Sequence, residues 1–136
     1  MYIDWVIPCR YVEIHDNLGT IVGAGIDTFW VPELPAPVSV WMAVRLLAQA
    51  DELDGEAHPV KNVIIGPDAQ VLSDVVGQFG AEMDGARPDW LNGLMLATVV
   101  QFEAPAEGTY TFQHTIDESS ASVPLHIVHG PEPDGG

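Results

Sequence analysis

From Gly108 to Val128 the chain alternates with a period of two, and this alternation limits the fold more than any other feature. Tyr110, Phe112, His114 and Ile116 interleave with Thr109, Thr111, Gln113 and Thr115. After a polar interruption, Val123, Leu125 and Ile127 interleave with Ser122, Pro124 and His126. Such spacing, rich in β-branched and aromatic residues, describes an antiparallel hairpin with one buried face. Parity restricts the register, because a slip of one residue turns a whole apolar set to solvent. A tight Ser119-Ser120 turn satisfies parity and pairs Ile116 with Val123, His114 with Leu125 and Phe112 with Ile127.

The same alternation recurs upstream. Val6–Ile14 reads as a first strand, His15–Gly19 as a turn and Thr20–Trp30 as a second strand, with Gly23 and Gly25 marking a bulge. The proline-rich run Val31–Pro37 cannot sustain a ladder and reads as a crossover. Val38–Leu47 and Val60–Ile65 follow as strands, separated by an acidic loop. Val71–Phe79 fits both periods, but Gly77 and the valine pairs favour a strand. Glu82–Asn92 is a long loop with Trp90 and Leu91 expected to tuck onto the core. Leu94–Phe102, apolar on both faces, reads as a central strand covered twice. The prediction is therefore all-β: one antiparallel β-sandwich of about eight strands, immunoglobulin-like or jelly-roll-like, over residues 1–129, with a Pro/Gly-rich tail at 130–136.

At 136 residues, one domain can bury a sizeable core. Charge is the compositional outlier: twenty acids face only Arg10, Arg45, Lys61 and Arg87, for a formal charge of −16. A surface of that sign repels phosphate backbones and anionic lipid, which argues against nucleic-acid and membrane-surface partners. Cys9 is the only cysteine, so it reads as a buried thiol rather than half of a disulfide. No basic segment leads into a long apolar run, and the expected location is the cytoplasm.

The order of blocks, Cys9–Gly25, the proline-rich loop, Val40–Leu47, His58–Leu72 and the Gly108–Phe112 run, resembles a group of small bacterial, largely actinobacterial, proteins classed as a domain of unknown function. The resemblance implies a single compact β domain. It implies no activity, cofactor or site residue.

Tests for chemistry return little. A cupin metal site needs a second histidine two residues after His114, and that position is Ile116. His114 therefore reads as a hydrogen-bonded core residue. None of the serines lies in a Gly-x-Ser-x-Gly elbow, and no glycine-rich loop opens a helix. One pattern goes beyond composition. If strands alternate in direction, the loops at Asp16, Asp51–Glu56, Glu82–Asp89 and Asp117-Glu118 share one end of the sandwich. Carboxylates converging from several loops can hold Ca²⁺, which makes Asp51, Asp54, Glu56, Asp84 and Asp117 the candidate metal ligands and Ca²⁺ the only candidate cofactor. The leading functional expectation is a non-enzymatic interaction or assembly module, with a second copy or another protein as partner. The alternative is a cation- or small-ligand-binding domain, and an enzyme built on His114 with His15 or His58 ranks third.

Overall fold

Among the described residues, ten strands form where the alternation predicts extended chain. They are β1 (Tyr2–Cys9), β2 (Tyr11–His15), β3 (Leu18–Val22), β4 (Thr28–Val31), β5 (Ala36–Ala48), β6 (His58–Ile65), β7 (Val71–Phe79), β8 (Asn92–Ala104), β9 (Gly108–Ile116) and β10 (Ser119–His129). One 3-10 turn, Ala50–Glu52, is the only helical element among the described residues. The computed structural model describes residues 1–134, so the end of the expected tail lies outside the described residues.

Two sheets stack. One runs β1-β5-β8 and the other β4-β10-β9-β6-β7, while β2-β3 is a separate hairpin. The fold is thus an all-β sandwich, antiparallel except where β4 joins β10 in parallel. Its core forms where even-numbered residues of β5 and β8 meet β9, β10 and β6. Val38, Val40, Met42, Val100 and Phe102 pack against Ile64, Tyr110, Phe112, Leu125 and Ile127. A second cluster gathers Val44, Leu46, Leu94 and Ile116 with Met1 and Leu53.

The opening hairpin keeps its predicted faces but not its predicted turn. Phe112 pairs with Val123 and Leu125 with Tyr110, four positions from the expected partners, because the turn is Asp117-Glu118 rather than Ser119-Ser120. Parity cannot separate these choices, since both keep the apolar sets together. Asp117 settles it by adopting φ +50°, a conformation that Asp tolerates better than most residues.

Three further expectations are corrected. The first two predicted strands are four: the first breaks at Arg10, and the second breaks where Gly23 and Gly25 take positive φ beyond the end of β3 rather than bulging it. Leu94–Phe102 lies in an edge strand, and β5 is the central one. Part of the outer face of that sheet is covered by the β2-β3 hairpin, where Val12, Ile14 and Ile21 meet Ala43, Trp41 and Ala97. That cover accounts for the two-sided apolarity. Trp90 and Leu91 are exposed, and the Arg87 guanidinium sits 4.9 Å from the Trp90 ring centre. Cys9 is fully buried as expected, and burial raises its thiol pKa.

Candidate functional site

Two regions gather polar chemistry. The first is the acidic end. The turn at Asp16-Asn17 bonds to the start of β8, with Asn17 Nδ2 donating to the Gly93 carbonyl at 2.7 Å and Asn17 Oδ1 accepting from the Met95 amide at 2.8 Å. Asp54 forms an isolated bridge with Glu82, which joins the two acidic loops. These loops therefore do share one end.

The side chains that meet there are mostly not the expected ones. Among the described residues, Glu52, His58 and Asp117 alone bring three potential metal-ligating atoms within 4.8 Å of one another. Of the five candidate ligands, only Asp117 belongs to this group. Asp54 Oδ1 is engaged by the Glu56 amide at 2.9 Å, and Asp51 and Asp84 fall outside the cluster. His58 Nδ1 lies 2.9 Å from Asp117 Oδ2. The Met1 amino group donates to Glu52, in a very short contact, and to Asp117 Oδ2 at 2.9 Å. Burial opposes every charge here, but the ammonium bonds outweigh it. They hold the Glu52 and Asp117 carboxyls below their ordinary range and raise the Met1 amine above its own. Chemically, this is a cation cradle already holding an ammonium. Asp117 and His58 also have the acid–imidazole half of a catalytic triad, while His58 Nε2 has no hydrogen-bond partner among the described residues.

The second region is the flank where β7 and β8 end their sheets side by side. Three strands cannot cover five, so β7 hangs past β8: Val75 on its inner face is 59 % exposed, and Val71 and Val76 are 61 and 72 % exposed. Between the two edges lies a cavity of about 160 Å³ lined by residues of β6, β7, β8 and β9, His114 among them. A smaller one of about 100 Å³ adjoins it and shares Asn62, Val75 and Thr98. His114 is fully buried and stacked beside Phe112, and its Nδ1 lies 2.5 Å from Asn62 Oδ1 across the β6–β9 ladder. Nε2 has no partner, and burial depresses the pKa of the ring. The core-histidine reading of His114 therefore holds for one nitrogen and fails for the other. Sequence reasoning had no signal for the cavity, which arises from the unequal width of the sheets.

The chain belongs to DUF6941, a family of unknown function, whose model matches residues 4–128. No curated protein matches it. Among solved structures it is similar to the CARDB domain of a Pyrococcus furiosus protein, crystallised in complex with di-metal ions. That likeness has 12 % identity and TM-score 0.47, and it covers 93 % of this chain and 90 % of the other. No helix among the described residues is long and apolar enough to cross a membrane.

Proposed function

We propose that this chain is a non-enzymatic assembly module that associates with a second copy of itself through the edge of β7. One observation carries the reading: a nine-residue edge strand with three exposed valines, on a chain of charge −16. Edges invite pairing, and proteins blunt the ones they do not use. β4 is four residues long and runs into Pro32, while β1 has an irregularity between Ile3 and Trp5, carries Asp4 and contains Pro8. β7 has no proline, no lysine and a single acid, Asp74, which Lys61 approaches at 3.6 Å. It is therefore a stretch where two strongly acidic copies can meet with little charge.

Parity again limits the geometry. Two β7 strands related by a two-fold axis normal to the sheet must pair residues on the same face. Overlap is longest with Val75 opposite Val75, which joins two five-stranded sheets into one and sets Asp74 of each copy opposite Val76 of the other. Val76 also faces Lys61 within the chain. In Val76→Glu the new carboxylate gains that lysine in the monomer and confronts Asp74 in the dimer. Sedimentation should show a concentration-dependent dimer for the wild-type chain, weakened about tenfold or more in Val76→Glu with folding intact, since like charges directly opposite each other destabilise strand pairs. A strict monomer at all concentrations would refute this reading.

A second reading has the acidic end behind it: Glu52, His58 and Asp117 hold a cation, as the Met1 ammonium between them illustrates. An imidazole in the set suits a metal such as Zn²⁺ better than the Ca²⁺ expected from carboxylates alone. Calorimetry with each ion, on the wild type and on Asp117→Asn, decides it. Heat that is saturable and lost in the variant supports the reading, and no heat from either ion removes it.

A further inference from the structure

The orphan nitrogen of His114 and the cavity beside it belong together. Asn62 Oδ1 accepts the proton on Nδ1, so the neutral ring carries its lone pair on Nε2. A buried acceptor without a partner is uncommon and unfavourable, and because His114 lines the cavity, a guest that shifts the wall slightly can bring a donor to it. The cavity's size sets the guest. An apolar cavity of about 150 Å³ accommodates benzene, and this one is about 160 Å³. Its wall sets the polarity: Val60, Phe79, Leu96 and Ala97 are apolar, Thr98 and Gln78 are uncharged, and no ionisable side chain except His114 lines it. With no charged side chain in the wall, the slot offers a charged guest no partner for its charge.

We propose that the slot between β7 and β8 binds an uncharged, benzene-sized molecule bearing one hydroxyl or N–H donor, a simple phenol being the model case. The ring fills the space between Phe79, Leu96 and Val60, and its donor bonds to His114 Nε2. This inference does not rest on the assembly reading, because Val76 lies on the opposite face of β7 from Val75 and Gly77, which border the slot.

The test titrates the full chain, labelled with ¹⁵N-histidine, with phenol and in parallel with benzene, in neutral buffer. Phenol should bind saturably, with the largest change at the His114 Nε2 resonance. Benzene should bind about tenfold more weakly, because it leaves the acceptor orphaned. Gly77→Leu adds a side chain where a Cβ meets nothing within 4 Å, so it should fold normally and abolish binding by filling the slot. His114→Phe should erase the preference for phenol over benzene, and Val76→Glu should retain full binding whatever its oligomeric state. An unperturbed Nε2 resonance at saturating phenol (a slot that holds water only), equal affinity for the two probes, or undiminished binding in Gly77→Leu would each overturn the proposal.

Discussion

The acidic end and the β7–β8 flank each bury most of a histidine, and they treat it in opposite ways. At the acidic end, His58 meets a carboxylate that also binds an ammonium, and the Glu52 and Asp117 charges each have an opposite within reach. On the flank, His114 meets a neutral amide and a void. The first region is a network of paired charges, although His58 Nε2 within it lacks a partner just as His114 Nε2 does. The second is an unfinished surface, short of a covering strand on one sheet and of a donor at one nitrogen. In a chain so acidic, the conspicuous carboxylates mark the region where charges are paired, and the quiet apolar stretch marks the one where a polar group has only a neutral partner and a void.

The largest effect should come from breaking the network of paired charges. Asp117→Asn keeps a residue that tolerates φ +50° but removes the charge that meets Met1 and His58. Hydrogen bonds to charged groups are worth more than neutral ones, and losing this one should lower stability by about 2 kcal/mol in urea denaturation. Asp117→Ala should lose more, because it adds strain at the turn. A loss under about 0.5 kcal/mol would mean that these contacts behave as an ordinary surface pair.

On the flank a single replacement should also destabilise, and only replacing both partners should have the opposite sign. Removing His114 alone strands Asn62, so His114→Phe is expected to destabilise. Replacing both partners with apolar residues, as in Asn62→Leu with His114→Phe, leaves nothing unsatisfied and places hydrocarbon between β6, β9 and β8. The double variant should match or exceed the wild type by about 1 kcal/mol. If it falls well below either single variant, the pair is a structural requirement and the two regions are alike after all.

Acid should separate the regions without mutation. His114 has a folded pKa below its ordinary 6.5, so its contribution is intact above pH 6.5 and falls as the unfolded chain takes up a proton that the folded chain refuses. Glu52 and Asp117 also have lowered folded values, but their contribution persists until the pH drops below about 4, where unfolded carboxylates protonate. Stability relative to His114→Phe should therefore decline as the pH falls below 6.5, before the loss that the Glu52 and Asp117 carboxyls bring nearer pH 4. Parallel curves for the wild type and His114→Phe across that range would break the assignment.

Much of the frame was legible from residue order. Alternation placed β5, β6, β7, β9 and β10, and parity kept the right side chains in the core even where the turn was misplaced. Local pattern could not say which strands lie at edges: Leu94–Phe102 looks central because the β2-β3 hairpin lends it a second cover near Ala97. The acidic end was legible as an end but not as a site. Glu52, His58 and Asp117 come from a 3-10 turn, the start of β6 and a hairpin turn, and only their packing selects them from so many acids. The slot was not legible at all, since no residue in it is unusual. It exists because β7 has no strand across from it.

Salt gives the smallest and most discriminating comparison. Two copies at −16 each repel at long range, and that repulsion is screened as the Debye length shrinks from over 10 Å to a few ångströms. Each copy brings one ion pair to the proposed β7 contact, the half-exposed Lys61–Asp74 within its own chain, so screening has little attraction to remove. Self-association should therefore tighten, by about three- to tenfold, as salt rises from about 0.05 to about 0.5 M. An interface built on the carboxylates of the acidic end, bridged by the few basic side chains of a neighbour, would loosen over the same range. Sedimentation across the series thus reports which region makes the contact. Tightening favours the apolar edge, and loosening would move assembly to the acidic end and leave β7 without its partner.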